Sequence, residues 1–157
     1  MKIFMKIKAH WIAVCVLLAA IFSLPAHAAD RAGMVKVAKG QVTIERDGKI
    51  QAAAVGSPVE VADRIRTGPD GSVGVTLLDD TLLSAGPNSL FVIEKFAFDN
   101  KTQDGRMSVQ VRKGTLSVAS GRIAKQTPES VDFHTPTSVL GVRGTEFVIE
   151  VAGQGDE

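Results

Sequence analysis

The chain has one cysteine, one tryptophan and no tyrosine in 157 residues. Each shortage excludes something. Cys15 lies inside an apolar N-terminal run, so no disulfide framework is available to the remainder. A zinc site needs three or four Cys, His or carboxylate ligands, and His134 is the only histidine after residue 28. A hydrolase triad needs a base near a nucleophile, and that same histidine sits in an alternating apolar–polar run beside Phe133. Without tryptophan or tyrosine, stacking platforms for sugar rings are poor. No apolar run reaches the roughly 18 residues of a spanning helix. No glycine loop followed by Lys-Ser/Thr provides a phosphate cradle.

The first residues read as a secretory leader. Lys2, Lys6 and Lys8 form a positive region, and Ile12 to Leu24 form an apolar region of 13 residues. Pro25 and the small-x-small site Ala26-His27-Ala28 follow. Val14 stands before Cys15 where a lipoprotein signal wants a small residue, so Cys15 is expected to leave with the leader. The expected organisation is a cleaved signal peptide over 1–28, one domain over 29–157 and a polar tail over 153–157. The mature domain would hold 15 basic and 17 acidic residues, a net charge of −2. With no basic block, no nucleic-acid partner and no anionic-membrane partner is expected. The protein is expected in the periplasm or outside the cell, with no retained membrane anchor.

Short alternating segments dominate the rest of the chain, and no helical period persists over three turns. Val42 to Arg46 alternates and meets Asp47-Gly48, a strong hairpin signal. Gly68-Pro69-Asp70-Gly71, Asp79-Asp80 and Gly86-Pro87-Asn88-Ser89 mark further turns. Met107 to Arg112 alternates, is expected to turn at Lys113-Gly114, and resumes as Thr115 to Val118. A last strand is expected over 145–151. Many short strands between turn signals specify an all-β domain. Periodicity leaves a sandwich, a barrel and a wound, solenoid-like arrangement open. The acidic turns lack the alternating ligands of a calcium loop, so neither metal nor cofactor is expected.

The segment from Thr135 to Ile149 is the most distinctive. Pro136 fixes its own φ and extends Thr135. Gly141 and Gly144 offer freedom of conformation or close backbone approach. Arg143, with five donors, and Thr145 would staple a buried corner. Val142, Phe147 and Ile149 would point inward, with Phe147 sealing the core.

This segment resembles the hallmark of the FecR domain family, through Thr135-Pro136 and Val142-Arg143-Gly144-Thr145-Glu146-Phe147. Val37 to Val42, Asp63-Arg64-Ile65-Arg66-Thr67-Gly68, Leu77 to Thr81, Gly86 to Ser89 and Lys113-Gly114-Thr115-Leu116 are similar to earlier family landmarks, in order. The resemblance spans about residues 33–151. It implies a wound all-β fold and a place in the cell envelope. The family's named members are transmembrane regulators that act on a sigma factor and sense an outer-membrane transporter. This chain departs from that layout, with no anti-sigma segment or retained spanning helix expected. The expected function is therefore a non-catalytic interaction module that docks an envelope protein, with a possible link to envelope signalling or iron-uptake regulation. The alternative is a glycan-binding or adhesion domain using Lys101-Thr102-Gln103-Asp104 and Gln110.

Overall fold

The computed structural model describes residues 30–142 and 146–153. The expected leader, Arg143, Gly144, Thr145 and the end of the expected tail lie outside the described residues. Twelve strands follow in order: β1 (Arg31–Lys39), β2 (Val42–Arg46), β3 (Lys49–Ala52), β4 (Pro58–Glu60), β5 (Arg64–Thr67) and β6 (Ser72–Leu77). Then come β7 (Leu82–Ala85), β8 (Leu90–Phe98), β9 (Gly105–Ala119), β10 (Val131–His134), β11 (Val139–Gly141) and β12 (Glu146–Val151). A five-residue helix, Arg122–Gln126, and a 3-10 turn, Pro128–Ser130, lie between β9 and β10.

The strands form one curled sheet with two halves that share β9. The first half runs β3-β2-β5-β8-β9-β10-β11, and the second runs β4-β1-β6-β7-β9-β12. The chain crosses between halves at seven of the eleven connections: β1 to β2, β3 to β4, β4 to β5, β5 to β6, β7 to β8, β9 to β10 and β11 to β12. That alternation is the wound character the sequence suggested. The two inner faces close on a single apolar core. Ile44, Ile65, Phe91, Ile93 and Phe133 come from one half, and Val35, Val75, Leu77, Leu83 and Leu116 from the other. Alternation puts these residues inside because successive strand side chains point to opposite faces.

The turn chemistry acts where it was expected. Asp47 and Gly48 take φ values of 50° and 73°, the paired left-handed conformation of a tight hairpin between β2 and β3. Asp80 and Asn88 also have positive φ, at the two expected breaks.

One expectation is corrected. Lys113-Gly114 is not a hairpin turn. It is a bend inside the 15-residue strand β9, where Gly114 takes φ 82°. Before the bend β9 pairs with β8 and β10; after it, with β7 and β12. One strand thus serves both halves, and only glycine relieves the bend. The short helix adds one element to the strands. Its five residues are too short to show a period, and it is held from outside. Asp79 accepts from the backbone N–H groups of Arg122 (2.7 Å, through its carbonyl) and Ile123 (3.3 Å, through its carboxylate). Ile123 is fully buried beneath it.

Candidate functional site

The FecR-like landmarks separate into buried polar staples and an open cleft. Asp63 is completely buried ahead of β5. Its carboxylate accepts two hydrogen bonds from Arg46, Nε and Nη2, each at 2.7 Å, and a third from the Glu60 N–H at 2.8 Å. Arg46 Nη1 also reaches Glu60 at 2.5 Å. The hydrogen bonds that Arg46 donates to Asp63 raise its guanidinium above the ordinary range. Burial opposes the shift; the charges of Asp63, Glu60 and Asp47 reinforce it. The arginine therefore remains a cation across physiological pH.

At the other end of β5, Thr67 Oγ1 donates to the Gly86 carbonyl at 2.7 Å and accepts from Ser89 N–H at 2.9 Å. Ser89 Oγ in turn accepts from Thr115 N–H at 3.0 Å, beside the β9 bend. The third staple is Asp79, whose carboxylate binds Thr81 N–H at 3.1 Å and its hydroxyl at 2.8 Å. Thr81 Oγ1 accepts from Gly121 N–H at 3.0 Å. All four of Asp63, Thr67, Asp79 and Thr81 are buried. Their polar atoms are spent on the backbone and on the side chains of Arg46 and of one another, as buried polar groups require. These residues hold the fold and are closed to a ligand.

His134 lies on the outer face of β10, its Nε2 2.5 Å from Asp132 Oδ2. Its cross-strand neighbours are Gln110 and Val139. Among the described residues, no three His, Cys, Asp or Glu side chains gather as metal ligands. No helix among them is long and apolar enough to cross a membrane.

The cleft lies between the β10–β11 hairpin and β12 and has a volume of about 740 Å³. Thr135, Pro136, Gly141, Val142 and Phe147 all line it. Among the described residues, strand β11 pairs only with β10, and β12 only with β9, so each leaves one backbone edge unpaired there. Thr135 closes the hairpin through its N–H to the Ser138 carbonyl at 2.8 Å. Pro136 and Gly141 are exposed, while Thr135 and Val142 are half-buried. At its described residues, the expected buried corner is thus a rim. Phe147 is also half-buried; it meets the fully buried Phe133 edge-to-face, ring centroids 5.1 Å apart. Phe133 seals the core from within, and Phe147 covers it from the cleft.

Gly141 also departs from expectation. It has no positive φ, and no atom lies within 4 Å of the place a Cβ would occupy. Gly141→Ala is expected to leave the denaturant midpoint unchanged within about 0.5 kcal/mol, the range of uneventful surface changes. A larger loss would show a backbone constraint there.

Sequence reading missed Arg46, because its partners Glu60 and Asp63 are distant in sequence and lie on other elements. The only signal was an arginine where an alternating strand ends. The cleft was missed because a pair of unpaired edges is a property of topology.

These features define a class: an all-β domain wound between two halves of one sheet, stapled by buried acids and threonines, with open edges at one end. The FecR family model, described as FecR protein, matches residues 63–157, and the chain belongs to that family. The match begins at Asp63, the first staple. Strands β1 to β4 precede it yet complete the sheet through β1–β6 and β2–β5 pairing. No curated protein and no solved structure matches the chain.

Proposed function

We propose that this protein is a non-catalytic, exported interaction module of the cell envelope, and that it docks an extended segment of an envelope protein at the β11/β12 cleft. The carrying observation is that two unpaired strand edges flank a cleft with apolar side chains on its walls. Val139 and Leu140 on β11 and Val148 on β12 stay exposed. Unpaired edges supply backbone donors and acceptors to an incoming strand, and apolar pockets beside them choose its side chains. Family membership supports a role in envelope regulation. The N-terminal charge and hydropathy pattern supports export. A link to sigma-factor signalling or iron uptake belongs to the same proposal.

The test is crosslinking affinity purification from envelope fractions, with the wild type beside Leu140→Asp. Leu140 is 39% exposed, so the charge is expected to leave the melting transition in place. The wild type is expected to capture a partner strand, mapped by crosslinks to β11 or β12. The variant is expected to lose it. A partner retained by Leu140→Asp, or none captured by the wild type, would overturn the cleft as the docking site. Capture of polysaccharide instead would favour glycan binding.

A further inference from the structure

The two outer faces of the sheet differ sharply. The outer face of the first half carries Arg64, Arg66, Lys95, Arg106 and Asp132, an ordinary solvated surface. The outer face of the second half carries no charge on its three central strands. Strand register places its residues in rows across β1, β6, β7, β9 and β12. One row is Val37, Gly74, Ser84, Ser117 and Val148. The next is Met34, Thr76, Leu82, Ala119 and Glu146. On the other side of the first row, Lys39 pairs with Ser72 on β6, and Thr115 on β9 pairs with Glu150. Gly86 links these pairs through its N–H to the Thr115 carbonyl at 3.1 Å. Val37, Leu82 and Val148 are 44%, 48% and 64% exposed, so none of the described residues covers this face.

The pattern is complementary to itself. A two-fold axis along β7 exchanges β1 with β12 and β6 with β9, while each row stays level. Val37 then faces Val148 of the partner subunit, and Lys39 faces the partner's Glu150. Lys36, bulged out between Val35 and Val37, comes to the side of the partner's Glu146. Leu82 meets its own copy on the axis. The small residues Gly74, Ser84 and Ser117 fill the centre, where two stacked sheets must approach to about 10 Å. Among the described residues, Lys36, Lys39, Glu146 and Glu150 form no ion pair within the chain.

We propose that this face is a homodimer interface, occupied by a second copy of the chain in an isologous, face-to-face arrangement. Five strands at about 4.8 Å and five residues at about 3.4 Å outline roughly 400 Å² per copy, about 800 Å² in total, which is below the standard size of stable interfaces and in the range of weak, transient ones. The dimer is accordingly weak and concentration-dependent. It adjoins the cleft, whose lining includes Glu146, Val148 and Glu150 of β12, but Ser84 on the axis lies outside the cleft and Leu140 of the cleft lies outside this face, so substitutions at the two separate the sites.

Sedimentation equilibrium from micromolar to near-millimolar protein tests this. The wild type is expected to dimerise reversibly. Ser84→Arg, at the axis, is expected to abolish dimerisation with the thermal transition unchanged. Lys39→Glu and Glu150→Lys, each placing like charges opposite one another, are each expected to weaken association about tenfold at low salt. The double variant Lys39→Glu/Glu150→Lys restores opposite charges across the axis and is expected to recover wild-type association. A carbodiimide crosslink between Lys39 and Glu150 of differently labelled copies is expected in the wild type. A monomer at every concentration would overturn the proposal. So would association indifferent to Ser84→Arg, a double variant as weak as the singles, or no intermolecular Lys39–Glu150 crosslink.

Discussion

Arg46→Met is expected to destabilise the protein by about 3–4 kcal/mol, measured as the shift of the urea unfolding midpoint. The loss follows from what remains. Asp63 is completely buried and receives two of its three hydrogen bonds from the Arg46 fork. Removing the fork leaves a carboxylate in the core with one N–H donor, from Glu60. An uncompensated buried charge costs far more than a pair at the surface gains. The same staple ties the end of β2 to β4 and to the turn before β5. In that turn Ala62 holds φ 70°, a conformation costing on the order of 1–3 kcal/mol for a residue with a Cβ. The staple and the Ala62 N–H, bonded to the Ile93 carbonyl at 2.7 Å, keep it there. Arg46→Lys is expected to fall between wild type and Arg46→Met, since one ammonium cannot replace a two-pronged contact. In an Asp63→Asn background, Arg46→Met should cost much less, because the buried charge is gone. Equal costs in the two backgrounds would show that the pair is not coupled.

Gly114→Ala is expected to cost about 3 kcal/mol or more, by the same measurement. Two effects add. The backbone at Gly114 has φ 82°, which an L side chain rarely adopts. A Cβ would also press on Ser89 Oγ, lie 2.6 Å from Ser89 Cα and 2.8 Å from the Asn88 carbonyl oxygen. Two of these three contacts are to backbone, so rotating a side chain cannot relieve them. Ser89 also joins β9 to the Thr67 staple, so displacing it loosens β5 as well. Gly48 gives the comparison. It also has positive φ, 73°, but a Cβ there would meet nothing within 4 Å. Gly48→Ala should lose only about 1 kcal/mol. If the two substitutions cost the same, crowding at the β9 bend is not what selects Gly114.

The strands were legible because one buried face imposes a two-residue period on the sequence. Val73, Val75 and Leu77 are inside and Gly74 and Thr76 are not, as their spacing requires. Asp47-Gly48 was legible because the conformation of a tight hairpin is a local property. Lys113-Gly114 was misread for the matching reason. A glycine between two alternating segments looks the same whether the chain reverses or bends. What distinguishes them is which strands lie alongside, and those come from residues 82–98 and 131–151. The family landmarks were visible as a pattern, but their roles were not. Asp79 read as a turn residue, and Asp63 and Thr67 only as landmarks; long-range partners make them buried staples.

The sequence by itself determined that the chain is all-β, that it belongs among FecR domains, where most turns lie, and which side chains face the core. The family rests on the resemblance of ordered motifs; the rest follows from local conformational preference and from the alternation that burial demands. Only the tertiary structure decided that β9 serves both halves of the sheet, that Arg46 holds Asp63, and that the terminal motif borders a cleft. It alone set Val37, Gly74, Ser84, Ser117 and Val148 level in one row across five strands. Each of these depends on which distant strands become neighbours. That choice minimises the free energy of the whole core and of every buried polar group together, so no local stretch of sequence encodes it.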